Sequence, residues 1–365
     1  MALALLDFDF SGERGVSNTL RMRARSLLFV PGLRPERFAK AVGCAPDIVC
    51  LDLEDSVGAR DKDAARSTVL AGLPALVGDG TAPASSPSSS PEIVVRINSP
   101  RHPAGLRDLL GLVESAAPPH GVLLPKASSA AELRWVAELL SHAARPVALH
   151  ALVEGAAAVS RADELAAAGV RLRSVLLGGV DLATDLGLGK PRGAAAPAPL
   201  ATGPLDYARA RLVNAVAAAA AEGSGGWGGG SGLAAAAAGA AAAGWQRPAI
   251  LDSPRLSLAG AGAGAAAAEA DALRAECEHA RRMGCTGKAA IHPAQLPVIH
   301  EVFTPTPEEL GEARAVLRAF AAAGGGASVL EGGDGTIVEL PVVLHAIAVL
   351  GRAGEDAELP PGLLP

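Results

Sequence analysis

Eight short, branched-rich apolar runs separated by helix-patterned segments predict an α/β chain. Its parallel strands are expected to close into a (β/α)8 barrel, the TIM-barrel architecture, with a small C-terminal helical extension. Three observations carry that expectation. Runs and helical segments alternate, which indicates βαβ units. The runs are continuously apolar instead of alternating, so both faces of each strand are buried, as in a parallel sheet. Residues 25–303 hold all eight units, close to the roughly 250 residues typical of such a barrel. An open doubly wound sheet is the alternative, but VPGLRPER after the first strand is no GxGxxG phosphate loop.

The strands are expected at SLLFV (26–30), DIVCL (47–51), EIVVRI (92–97) and GVLLP (121–125). PVALHALV (146–153), SVLLGGV (174–180), RPAILD (247–252) and KAAIH (288–292) complete the set. Ala/Leu/Glu/Arg segments such as SAAELRWVAELLSHAA and SRADELAAAG supply the helices between them. Residues 1–24 form an N-terminal extension. Three stretches read as insertions: Pro/Ser-rich 81–91, flexible 190–204, and low-complexity 223–244, expected to be disordered or loosely helical. Beyond 303, the pattern predicts a helix at 307–322, a break at Gly324–Gly326, and an apolar helix at Leu340–Leu350.

Composition narrows the function classes. Hydrophobic residues make up 50% and charged residues 19%, enough for a large core. A net charge of −6 (32 basic against 38 acidic side chains) argues against a nucleic-acid binder. Aromatics at 3% deny it base-stacking platforms. No apolar stretch reads as a membrane span. The cysteines, Cys44, Cys50, Cys277 and Cys285, lack CxxC spacing and read as reduced thiols of an intracellular protein. Asp7, Asp9 and Glu13 weigh against an organelle-targeting segment, Arg21, Arg23 and Arg25 weigh for one, and the cytoplasm and the mitochondrion both stay open.

Ionisable groups recur at the strand ends, where barrel enzymes keep their chemistry. Arg25 precedes strand one, and Asp52, Glu54 and Asp55 follow strand two. Arg96 and Asn98 close strand three, then come Lys126, Glu154, Asp181, Asp252, and His292 with Gln295. Buried and unpaired, each would cost several kcal/mol, so partners or a metal are required. Glu154 and Asp181, with no Cys or His beside them, suit Mg²⁺ or Mn²⁺; helix capping is their plainer reading. Arg96 inside an apolar strand suits a substrate carboxylate, or a structural pair with the Asp52/Glu54 knot. Lys126 reads as electrostatic support, with Schiff-base chemistry as the lesser alternative. His292, before Pro, reads as structural.

RSLLFVPG, DLEDSV followed by Lys62 and Arg66, VRINSP, LLPK, ALVEGA, GGVDLATDLG and GCTGKAAIHPAQ occur in one order. Together they resemble the citrate lyase beta-subunit-like branch of the HpcH/HpaI aldolase family, which includes citramalyl-CoA and malyl-CoA lyases. The resemblance implies a Mg²⁺-dependent carbon–carbon lyase or synthase acting on short hydroxyacyl-CoA thioesters, giving acetyl-CoA and a ketoacid. It implies Glu154 and Asp181 as metal ligands, Arg96 on the ketoacid carbonyl and carboxylate, and Asp52, Glu54 and Asp55 as acid/base and water-positioning groups. Gly179 and Val180 would offer backbone amides to the substrate carboxylate, Lys126 would support it, and Arg25, Lys62 and Arg66 would meet CoA phosphates. A homotrimer or homohexamer is implied as well. The sequence departs from the pattern at Ala259, aligned where relatives look to carry an aspartate, while Glu339 is a weaker match further on. A catalytically impaired CoA-ester- and metal-binding paralogue, or a CoA-independent ketoacid aldolase, are the alternatives.

Overall fold

In the computed structural model the described residues are 24–78, 90–170, 172–188, 203–223, 248–258, 263–324, 328–329 and 337–355. Eight parallel strands close a barrel in the order β1 to β8, as the alternating pattern predicts. They are β1 (Ser26–Pro31), β2 (Ile48–Asp52), β3 (Glu92–Arg96), β4 (Gly121–Leu124), β5 (Ala148–Val153), β6 (Leu172–Leu177), β7 (Ala249–Asp252) and β8 (Gly287–Ala290). The expected insertions 81–91, 190–204 and 223–244 lie almost wholly outside the described residues, as do Ala259 and most of 1–24.

Alternation along the strands sorts their side chains into two cores. Leu27, Ile48, Cys50, Val94, Leu123, Leu152, Leu176, Leu251 and Ala289 fill the barrel interior. The other strand face packs Leu28, Val49, Val95, Val122, Val175 and Ile250 against the helices. Those helices are α1 (Pro35–Gly43), α2 (Lys62–Val77), α3 (Pro103–Val113), α4 (Ala130–Leu140), α5 (Ala156–Ser160), α6 (Ala162–Ala166), α7 (Gly179–Asp185), α8 (Pro204–Gly223), α9 (Ala263–Arg282) and α10 (Leu296–Phe303). Beyond them, α11 (Pro307–Ala322) and α12 (Leu340–Ala353) share a separate apolar cluster around Val316, Phe320, Val343 and Leu350. A capping box between Thr306 and Glu309, with Pro307 in the first turn, starts α11 where the sequence places it. The short antiparallel pair β9 (Ser328–Val329) and β10 (Ile337–Val338) lies between the two helices and was not expected. Glu339 is the exposed N-cap residue of α12.

Several strand-end groups prove to be scaffold. Arg25 stands at the amino end of the barrel, where its guanidinium is bound by both oxygens of Asp47 (2.9 and 2.7 Å) and by Thr304 Oγ1 (2.8 Å). It is therefore at the end opposite the rim where β2 to β6 finish, which corrects its placement beside substrate phosphates. Asp252 turns outward into the helix layer, accepting from Arg209 of α8 and Lys288 of β8 at 2.8 Å each. Lys288 continues the chain to Glu276 of α9 at 3.4 Å. His292 caps the 3-10 turn Pro293–Gln295, and Gln295 ties Ile291 N to Arg255 O.

The barrel floor carries a second polar group. Glu92, His150 and Ser174 continue the inward-facing alternation of Val94, Leu152 and Leu176. His150 Nδ1 lies 2.8 Å from Ser174 Oγ, and its Nε2 lies 3.4 Å from Glu92 Oε1. The imidazole fits only because Gly121 has no side chain: a Cβ there would sit 2.5 Å from Nε2. Burial would raise the Glu92 carboxyl, but His150 and Arg173 outweigh it and hold its pKa at about 2. The folded value lies below the ordinary 4.5, so this stabilisation is complete above that pH and drains as pH falls toward 2. Glu92→Gln is expected to destabilise the protein by about 3 kcal/mol at neutral pH. The gap from the parent should close as urea melts are taken down to pH 2; a constant gap would refute this account.

Candidate active site

Asp52 and Arg96 are ladder partners on β2 and β3, and both side chains face inward at the carboxyl end of the barrel. Arg96 grips Asp52 with two parallel bonds, Nε to Oδ1 at 2.6 Å and Nη2 to Oδ2 at 2.7 Å. Asp52 also accepts from the backbone N–H groups of Glu54 (2.9 Å) and Ser56 (3.1 Å), which folds the DLEDS turn over the strand end. Burial opposes ionisation of Asp52, yet Arg96 and these amides hold its carboxyl below the usual carboxylate range. The guanidinium lies over the Phe29 ring, 4.8 Å from its centroid, a stacking contact that no linear pattern announces.

The third nitrogen of Arg96 faces the rim. Nη1 lies 3.1 Å from Asp55 Oδ2 and 3.1 Å from Glu54 Oε2. Asp55 is 59% exposed, whereas Glu54 is buried. Burial, more than its neighbours, raises the Glu54 carboxyl above its ordinary range. Lys62 fixes the backbone here by donating to the carbonyls of Leu53 and Glu54, at 2.9 and 2.7 Å.

Lys126 follows β4 in the left-handed region, with φ of 51°. That unusual backbone lets one residue serve two neighbours. Its N–H donates to Glu154 Oε1 at 2.8 Å, while its ammonium donates to Glu54 Oε1 at 2.7 Å. The same ammonium stands 3.9 Å from Glu154 Oε1 and 3.7 Å from Asp181 Oδ2. Glu154 follows β5 and is buried; Asp181, in the first turn of α7, is half-exposed. Gly178 makes room for Glu154, since a Cβ there would sit 2.3 Å from Glu154 Cβ and 2.7 Å from its Oε2. Desolvation first, then the charges of Glu54 and Asp181, push the Glu154 pKa up to about 8.

The structure thus gathers Asp52, Glu54, Asp55, Arg96, Lys126, Glu154 and Asp181 on one rim. Other candidates are engaged elsewhere. The Gly179 N–H donates to Ser253 Oγ at 2.7 Å, so it is not available to a substrate as expected; Val180, beside it, is exposed. Arg66 binds Asp63 and Asp108 of α3, and Asn98 is fastened to the same Asp108. These bonds lock α2 and α3 to β3 and leave Arg66 little to offer a phosphate. A cleft of about 430 Å³ opens beside the rim, its lining including Glu54, Lys62, Asn98, Arg101, His102 and Lys126. Arg101 and His102, which sequence reasoning passed over, lie in the exposed turn before α3; only their position just beyond VRINSP hinted at them.

Glu154 and Asp181 offer carboxylate oxygens only, a hard donor pair suited to a divalent ion such as Mg²⁺. An ammonium already stands beside both, and Glu154 is crowded enough by acid to need a cation. The residues fit the ion. Among the described residues no set of three or more His, Cys, Asp or Glu is arranged to hold a metal.

A closed barrel whose carboxyl rim sets a guanidinium fork beside a carboxylate pair is an enzyme built to handle oxyanions. The model of the HpcH/HpaI aldolase/citrate lyase family matches residues 25–223, more than half of the chain. The protein belongs to that family and is a lyase. It is 30% identical over 341 residues to the L-malyl-CoA/beta-methylmalyl-CoA lyase of Cereibacter sphaeroides, covering 90% of this chain and 94% of that one. A citrate lyase subunit beta-like protein of Mycobacterium tuberculosis is 33% identical over 336 residues, 92% of this chain and 98% of its own. Among solved structures, CitE from Mycobacterium tuberculosis in complex with magnesium, acetoacetate and coenzyme A superposes with a TM-score of 0.61 at 31% identity. It covers 92% of this chain and 100% of that one.

Truncating Arg96 would strand Asp52 as an uncompensated buried charge. Arg96→Ala is therefore expected to lower stability by about 3–5 kcal/mol, and adding Asp52→Asn should recover part of the loss. Chemical denaturation of the three proteins checks this; a double variant no more stable than Arg96→Ala would contradict it.

Proposed function

We propose that the protein is a Mg²⁺-dependent carbon–carbon lyase acting on a short hydroxyacyl-CoA thioester of the citramalyl-, malyl- or citryl-CoA type. Acetyl-CoA and a ketoacid are the products, and the reverse condensation uses the same site. One observation carries the reading: the carboxylates of Glu154 and Asp181 converge on a single cation, beside the Arg96 fork. Glu154 and Asp181 would hold the ion, which when bound withdraws electron density from the oxygen that becomes the ketoacid carbonyl. Manganese would suit the same donors.

Arg96 supplies the complementary positive charge. Two of its nitrogens are locked on Asp52, which fixes the plane of the fork. Nη1 remains, held only by exposed Asp55 and by Glu54. A substrate carboxylate entering at the rim would take the place of Asp55 with little loss, because Asp55 returns to water. In the cleavage direction a carboxylate of the Asp52, Glu54 and Asp55 group accepts the proton of the substrate hydroxyl. As its oxygen forms the new carbonyl, the carbon–carbon bond breaks and its electron pair moves onto the thioester as an enolate. A carboxyl group then returns a proton to the enolate carbon. Glu54 is the member best suited to both transfers, because burial keeps its proton affinity high while Lys126 holds it in place. Residues 25–303 are the catalytic unit in this reading, with 304–365 appended.

Release of acetyl-CoA from malyl-CoA and citramalyl-CoA in the presence of Mg²⁺ tests the proposal directly. Glu154→Ala should reduce turnover by about 10³-fold, the scale of losing Lewis-acid stabilisation worth several kcal/mol. Gly178→Ala, which sets a methyl group 2.3 Å from Glu154 Cβ, should displace Glu154 and weaken Mg²⁺ binding by at least about tenfold, with circular dichroism checking that the barrel is retained. Wild-type protein that shows no thioester cleavage above the Glu154→Ala background would end this reading.

A further inference from the structure

The ammonium of Lys126 is the one side-chain cation in contact with all three carboxylates Glu54, Glu154 and Asp181 among the described residues. Its three distances are unequal. The bond to Glu54 is a full hydrogen bond at 2.7 Å, while Glu154 and Asp181 are approached only to 3.9 and 3.7 Å. The side chain is 49% exposed and reaches the cleft, so it has space to move. Its backbone does not: φ of 51° and the N–H bond to Glu154 Oε1 fix where the chain leaves β4.

The geometry points to Lys126 as a resident counter-ion that competes with the divalent ion for Glu154 and Asp181 and yields those two carboxylates while keeping Glu54. This rests on the metal assignment made above and adds a role for a residue that does not itself ligate the ion. Two like charges cannot stand against the same carboxylates without strong repulsion. When a hard ion draws Glu154 and Asp181 to itself, the ammonium loses its two looser contacts and keeps its short one. It then swings on its flexible stem toward the cleft and still holds Glu54. The acid cluster is thereby neutralised both before and after the ion arrives, and the ammonium ends beside the space where substrate enters. Lys126 is a positioning residue in this arrangement, acting through Glu54 and through the occupancy of the ion site.

Calorimetric titration with MgCl₂ at pH 9 and low salt tests the exchange, with no substrate present. Lys126→Met removes the competitor, and Lys126→Asn does so with a residue that tolerates the left-handed backbone. Both variants are expected to bind Mg²⁺ about tenfold more tightly than the wild type, while their metal-free thermal stability falls and is restored by Mg²⁺. Unchanged or weaker Mg²⁺ binding in both variants would overturn the exchange while leaving the metal assignment intact. A wild type that binds no Mg²⁺ would overturn both, so the two failures are distinguishable.

Discussion

A guanidinium sealed into the upper barrel on a carboxylate of the adjoining strand is the constraint from which the rest of the rim follows. Arg96 and Asp52 are each nearly buried, and neither is tolerable there alone. Ladder register places them side by side, the paired bonds fix the guanidinium plane, and Phe29 supports its face. The fork in turn aims Nη1 at Glu54 and Asp55. Asp52 also anchors the backbone of the turn that carries them, through its bonds from Glu54 N and Ser56 N. The position of the Asp52–Asp55 turn and the charge that faces it therefore trace back to a single ion pair. The three clustered carboxylates after β2 are tolerable because Arg96 and Lys126 stand among them.

The barrel was legible because its signal is repeated. A continuous apolar run bounded by polar or Gly/Pro residues recurs eight times, and each recurrence limits the placement of the others. Strand boundaries came within a few residues: 174–180 was expected for β6, which spans Leu172–Leu177, because Gly178–Val180 already belong to the turn and the start of α7. The β9–β10 pair was illegible, since two-residue strands carry no periodicity. The pairing of Arg96 with the carboxylates after β2 was legible because charge inside an apolar strand demands a partner.

What the linear reading misjudged was direction. A strand end says that a side chain is near the rim, but one residue of alternation decides whether it faces the interior or the helices. Asp52 and Asp252 both end strands, yet Asp52 faces inward and Asp252 faces Arg209 and Lys288. Arg25 precedes its strand and so belongs to the opposite end. Gly179 is at the rim as expected, but its amide was claimed by Ser253, a contact 74 positions away that no local pattern announces. Arg101 and His102 went unseen for a related reason. They stand in a turn with no periodic signal, and only the closed barrel shows that this turn borders the cleft.

Charge balance separates scaffold from site in three of the buried polar clusters among the described residues. On the outer wall, Asp206, Asp252, Glu269 and Glu276 meet Arg209, Lys288 and Arg255, with His279 on Asp206. Acid and base nearly cancel there, and Asp252 stays well below the usual carboxylate range despite its burial. On the floor, one carboxylate has two partners, and Glu92 is held at about 2. The rim is different. Among the described residues, Asp52, Glu54, Asp55, Glu154 and Asp181 face Arg96 and Lys126 as side-chain cations. The imbalance is concentrated at Glu154, whose affinity for a proton is raised to about 8 by burial and by its acidic neighbours. A folded core has no structural reason to keep such an excess, because protonating or replacing one acid would relieve it. The excess makes sense if further positive charge arrives from outside, at a position fixed by the strands and shaped by Gly178. The same physics that stabilises the wall leaves the described rim short of cations; a divalent ion would make up that shortage, and its remaining positive charge would suit an oxyanionic substrate.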